Sequence, residues 1–251
     1  MAELKTGQND PGMDKPLNGS TNKEISSNSK TRAIIINIVR LVLGILIIGA
    51  ILFWPAGTWN YWQAWTWLAA LFVPMLISLV YLVKKDPALL ERRTRTNETR
   101  PAQKWIIAIS VIYFLIIFIL PGFDKRYGWS SIPIWLVILA DLVVIAGYIL
   151  YILVLKTNSF ASRVIEVEQD QQVISSGPYT LVRHPMYLAM ILMMTATPLA
   201  LGSYWAFIPS LGLIPLLAAR ASNEEKLLLK ELKGYREYTA KTRHRLFPWI
   251  W

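Results

Sequence analysis

The sequence predicts an all-α, polytopic helical membrane protein, on three observations. Apolar residues fill 54% of 251 positions, only 17% are charged, and the mean hydropathy is positive. That leaves too little polar surface for a soluble domain of this length. The apolar residues gather into runs that match a ~30 Å hydrocarbon core crossed at about 1.5 Å per residue. Many of the 11 tryptophans sit at the ends of those runs, where amphipathic rings settle in a bilayer interface.

Residues 1–32 are rich in Asn, Ser, Lys and Gly with almost no large apolar side chain. Such a stretch cannot bury enough surface to offset chain entropy and is expected to be a disordered tail. It also lacks the pattern of a cleaved signal peptide. Residues 33–155 then carry four predicted transmembrane helices: about Ala33–Phe53, Trp62–Val83, Trp105–Leu120 (closed by Pro121-Gly122) and Ile132–Leu155. The loop Trp54–Trp62 has no charge, whereas Lys84–Lys104 contains Arg92, Arg93, Arg95 and Arg100. By the positive-inside rule both termini and the Lys84–Lys104 loop face the cytoplasm. Asp141, inside the fourth helix, is either functional or paired with a polar neighbour on another helix.

Residues 156–251 have a different texture. Lys156–Val182 is polar and not a span. Pro185–Leu201 and Tyr204–Ala219 are apolar stretches joined by Gly202-Ser203, which predicts a helical hairpin. Ser222–Thr242 reads as a charged amphipathic helix, and Phe247–Trp251 as an interfacial anchor. The formal charge of +10 is assigned to basic cytoplasmic loops on anionic lipid, and nucleic acid is not an expected partner. The absence of cysteine excludes disulfides and thiolate chemistry. With only His184 and His244, no metal site is expected.

Two stretches carry chemistry. In Gly177–Tyr187, Pro185 is suited to the first turn of a helix, which would leave the amides of Met186 and Tyr187 free as a seat for an anion. An ordinary interfacial turn is the alternative. In Arg220–Glu225, Arg220 and Glu224 share a helix face, either as an interfacial ion pair or, with Glu225, as a site for a cationic or hydroxyl-rich ligand.

Taken in order, Gly177-Pro178-Tyr179, Arg183-His184-Pro185-Met186-Tyr187, Leu201-Gly202-Ser203, Arg220 with Glu224-Glu225, Tyr235-Arg236-Glu237-Tyr238 and the late Arg245-Leu246-Phe247-Pro248 resemble the isoprenylcysteine carboxyl methyltransferase family. Phospholipid N-methyltransferases share the Arg-His-Pro and Glu-Glu signatures. The segment Asn158–Ser162 is more similar to a bacterial-type branch. The resemblance implies a membrane methyltransferase using S-adenosyl-L-methionine in a cytosol-facing cavity. It implies cofactor contacts at Gln171, Gln172, Val173, Ile174, Tyr179, His184, Pro185, Met186, Tyr187, Glu224 and Glu225. Arg220 would face the methyl acceptor, a lipophilic or prenylated molecule whose carboxylate is the favoured nucleophile. Rival readings are a phospholipid-type N-methyltransferase, a sterol-reductase-type membrane reductase, and a non-catalytic lipid-binding protein. The acidic pair argues against the 2′-phosphate site that such a reductase needs. The Gly-rich loop of a soluble methyltransferase has no counterpart either, since no G-x-G-x-x-G occurs.

Overall fold

In the computed structural model of the chain, residues 19–94, 101–162, 164–167, 170–248 and 250–251 are described. Nine α-helices form among them: α1 (Gly19–Ala56), α2 (Trp62–Lys85), α3 (Pro87–Thr94), α4 (Pro101–Tyr127), α5 (Ile134–Thr157), α6 (Pro185–Ala200), α7 (Tyr204–Ser210), α8 (Leu213–Glu231) and α9 (Tyr235–Lys241). No strand occurs among these residues, in keeping with the expected all-α architecture. Five segments are long and apolar enough to cross a membrane: Ile34–Ala56, Trp62–Lys85, Gln103–Tyr127, Ile134–Thr157 and Tyr204–Glu231.

The exposure pattern fits lipid as the surrounding solvent. Leu46, Ile77, Ile112 and Leu142 are each more than half exposed on α1, α2, α4 and α5. A water-soluble protein buries such residues, but a bilayer solvates them. What lies inside is tightly packed. Gly147 of α5 lets α6 come so close that a Cβ there would lie 3.1 Å from the Ala189 carbonyl. Small residues commonly allow such approaches between membrane helices. Trp67 of α2 is fully buried and donates its indole N–H to Thr197 of α6 at 3.0 Å, which satisfies a polar atom that hydrocarbon cannot.

Four boundaries differ from the sequence expectation. Helix α1 already begins at Gly19, so the expected tail at 1–32 is overridden from that residue on; residues 1–18 lie outside the described set. The third span does not stop at Pro121-Gly122 but continues to Tyr127. Glycine permits this, since a Cβ at Gly122 would lie 2.7 Å from the Leu52 carbonyl of α1. The basic loop contains α3, whose Leu89 and Leu90 are buried; Arg95 and Arg100 lie outside the described residues. Finally, the second hairpin arm breaks at Leu211-Gly212, just after Pro209, and its remainder is continuous with the expected amphipathic helix as α8. Asp141 Oδ1 is buried with no hydrogen-bond partner among the described residues, and the Thr66 hydroxyl of α2 donates to the Gln63 carbonyl at 3.0 Å.

At the end of the bundle away from α3, Asp124 is 1% exposed. Its carboxylate accepts from the Ser130 amide and hydroxyl, both at 2.7 Å, and from the Ser203 hydroxyl at 2.5 Å. Ser203 also caps α7 by accepting from the Ala206 amide. The Leu201-Gly202-Ser203 stretch is thus a structural joint, clamped again by the Tyr61 hydroxyl on the Leu201 carbonyl at 2.5 Å.

Candidate active site

The opposite end holds an open-mouthed cleft. Its walls come from the loop after α5, the stretch 171–174, the 3-10 turn Gly177–Thr180, the start of α6, the middle of α8 and α9. Ten of the sequence-selected residues line it together: Gln171, Gln172, Val173, Ile174, Tyr179, His184, Pro185, Met186, Tyr187 and Glu224.

Pro185 does open α6. The expected pair of free amides is reduced, however, because the Tyr187 amide donates back to the His184 carbonyl at 3.1 Å. The Tyr187 side chain compensates by crossing to α8. Its hydroxyl accepts from Arg220 Nε at 3.2 Å and donates to Glu224 Oε2 at 2.6 Å. The two sequence motifs therefore meet through one phenol, which aims the Glu224 carboxylate at the cleft and holds Arg220 one hydroxyl away from it.

Glu225, the neighbour of Glu224, does not line the cleft. One residue along a helix rotates the side chain by about 100°, and Glu225 is buried at 4% exposure behind the wall. It binds Arg183 Nη2 at 2.8 Å and lies 3.0 Å from Arg245 Nε and 3.5 Å from His184 Nε2. Arg183 extends the joint by donating to the Thr242 and Arg243 carbonyls at 2.8 and 2.7 Å. The amides of Arg183 and His184 donate to the His244 and Arg245 carbonyls, both at 2.9 Å. The Arg-His half of the motif and the late Arg245 thus form a buried lock that seats the C-terminal segment. His184, Pro185, Met186 and Tyr187 line the cleft itself.

Several lining residues escaped sequence reasoning. Asn158 donates to the Tyr179 hydroxyl at 2.8 Å, and Tyr238 donates its hydroxyl to the Tyr179 carbonyl at 2.8 Å. Tyr235 also lines the cleft, and its buried hydroxyl has no hydrogen-bond partner among the described residues. Asn158 stood in the Asn158–Ser162 segment and both tyrosines in the Tyr235–Tyr238 block, but neither spacing says which way a side chain turns. Burial pushes the Tyr179 and Tyr235 phenols well above their ordinary value, and that of Tyr238 up to about 12. All three are hydrogen-bond donors at neutral pH, not bases.

Fold and cleft together define a multi-pass membrane protein with a polar-lined cleft at one end of its helical bundle. Residues 136–230, from α5 into α8, match the model of the isoprenylcysteine carboxyl methyltransferase (ICMT) family. That stretch of the chain is similar to this family. Among solved structures the chain is similar to a eukaryotic intramembrane Ras methyltransferase, isoprenylcysteine carboxyl methyltransferase. The match has 17% identity and a TM-score of 0.46, covering 90% of this chain and 97% of that one. No match was found among curated proteins.

Proposed function

We propose that the chain is an S-adenosyl-L-methionine-dependent methyltransferase of the membrane interface, which methylates a carboxylate of a lipid-like or prenylcysteine-type acceptor. The observation that carries this reading is the meeting of the Arg-His-Pro-Met-Tyr and Arg…Glu-Glu motifs in one cleft through the Tyr187 hydroxyl. The cleft's chemistry fits the cofactor. Glu224 offers a carboxylate to an amine or a ribose diol. The Tyr235 hydroxyl, buried and without a protein partner, is a polar group of the kind that a ligand satisfies. Gln171–Ile174 and the start of α6 would hold the remainder, with Tyr179 closing over it.

The cofactor supplies an electrophilic methyl on a sulfonium, and the protein's task is then to place the nucleophile in line. A carboxylate is already ionised near neutral pH and needs only a cation to orient it. Arg220 would do that by charge and fork geometry. An amine acceptor needs a base. Glu225 is engaged with Arg183, Arg245 and His184 behind the wall, and the cleft tyrosines hold their protons. Both facts favour O-methylation over the phospholipid-type alternative.

Lys84, Lys85, Arg92, Arg93 and Lys156 all lie at the cleft end of their helices, which supports a cytoplasmic cleft under the positive-inside rule.

The test is calorimetric titration of the purified protein with S-adenosylhomocysteine and with NADPH, followed by labelled-methyl transfer to a farnesylcysteine analogue. S-adenosylhomocysteine should bind and NADPH should not; the reverse would establish a reductase, and binding of neither a non-catalytic protein. Glu224→Ala should abolish S-adenosylhomocysteine binding. Arg220→Ala should lower turnover more than about 100-fold with cofactor affinity nearly intact, and loss of that affinity would remove Arg220 from the acceptor side.

A further inference from the structure

The basic segment between the second and third spans turns two of its cations inward. Asp86 starts α3 by accepting from the Leu89 amide at 2.9 Å. Leu89 and Leu90 are then buried against Leu155, Ala161 and Met186. This packing fixes the rotation of the short helix, so Arg92 and Arg93 lie along the loop that leaves α5. Arg93 Nη1 donates to the Ala161 carbonyl at 3.0 Å and lies 3.7 Å from Met186 Sδ. Its guanidinium stacks over the Tyr151 ring, 5.2 Å from the centroid. Arg92 Nη1 donates to the Ser159 carbonyl at 2.8 Å, and its guanidinium covers Phe160 at 5.4 Å. Phe160, Ala161 and Met186 line the cleft.

We propose that Arg93, seconded by Arg92, is a positioning residue that holds the 158–162 wall and Met186 in the shape that binds the cofactor. The proposal rests on the cofactor reading above. A cation serving only to set topology would face solvent or headgroups, and lysine would serve as well. These two instead hold carbonyls and aromatic faces, which needs the planar fork of arginine. A loop without regular structure has few internal bonds to fix it, so its shape depends on what it leans on. The brace lies at 87–94, outside the family-matched stretch 136–230. The cleft is therefore completed from the first half of the chain.

The test uses the full-length protein in nanodiscs. Arg93→Ala should raise the dissociation constant for S-adenosylhomocysteine and the KM for the cofactor about tenfold. The KM for the acceptor and the thermal midpoint should stay near wild type. Arg92→Ala should give a smaller change in the same direction. Arg93→Lys keeps charge and topology but lacks the fork, and it should behave like Arg93→Ala. The chain has no cysteine, so Ser159→Cys accepts a single nitroxide, whose spectrum should become more mobile when Arg93 is replaced.

Equal affinity in wild type and Arg93→Lys, with an unchanged nitroxide spectrum, overturns the proposal alone. Wild-type protein that binds no S-adenosylhomocysteine overturns the cofactor reading and this proposal with it. If Arg93→Ala fails to fold, Arg93→Lys and the nitroxide decide: a folded lysine variant with wild-type affinity is evidence against positioning.

Discussion

Asp124 and Glu225 are both buried acids, 1% and 4% exposed, and they sit at opposite ends of the bundle. Asp124 is neutralised by no cation at hydrogen-bonding range in the contacts described. Three donors from Ser130 and Ser203 hold it, and those hydroxyls in turn accept the Tyr204 and Ala206 amides. Its cluster closes on itself. Glu225 gathers Arg183, Arg245 and His184 instead, and two polar atoms around it have no hydrogen-bond partner among the described residues: Arg183 Nε and the Tyr235 hydroxyl. Buried polar groups are normally satisfied, so a closed cluster marks a joint and an open one marks a place where something binds. The two ends of this molecule differ in that respect more than in burial or charge.

The contrast is broken most forcefully at Glu225. Glu225→Ala leaves Arg183 buried without its partner, and breaking a buried ion pair in this way costs about 3–5 kcal/mol. It should also unseat the C-terminal segment that Arg183 holds. The expected outcome is a large fall in the thermal midpoint in detergent together with loss of S-adenosylhomocysteine binding. A variant that melts like wild type would show the cluster to be incidental.

Asp124→Ala removes three hydrogen bonds to a charged group and should cost about 3 kcal/mol. The difference from Glu225 lies in the second readout. At a temperature where the variant remains folded, its affinity for S-adenosylhomocysteine should match wild type, because the joint lies at the far end. Coupled loss of affinity would mean that the ends communicate through α6.

The same contrast marks what was legible in the sequence. Span positions could be read to within a few residues because hydrocarbon thickness fixes helix length and composition reports burial in lipid. Ten of the residues selected from the sequence line one cleft, since Pro185 starts a helix and Glu224 lies on the helix opposite. Side-chain direction was not legible. Glu224 and Glu225 differ by one residue, yet one faces the cleft and the other the lock, because α8 is a single helix whose rotation is set by Leu217, Ala221 and Leu228 in the core. Leu201-Gly202-Ser203, read from the sequence as the hairpin connection, is the joint at the far end. The prolines at 209 and 215 mark the second arm as interrupted, but not that the break falls at Leu211-Gly212. Gly212 is needed where it is, against Tyr113 of α4: a Cβ there would lie 2.5 Å from the ring.

The smallest expected effect is the sharpest probe of the open cluster. Tyr235→Phe deletes a hydroxyl that has no hydrogen-bond partner among the described residues, so the folded state loses none of the bonds described and is relieved of an unsatisfied group. The thermal midpoint should stay level or rise slightly. If the hydroxyl meets the cofactor, affinity for S-adenosylhomocysteine should fall about three- to tenfold, the worth of one neutral hydrogen bond. Titration of both proteins by calorimetry checks this directly. Opposite signs in stability and affinity are the signature of a group kept for a ligand. A loss of stability with unchanged affinity would instead make Tyr235 a packing residue, and the Glu225 end would then resemble the Asp124 end more closely than the unpaired atoms suggest.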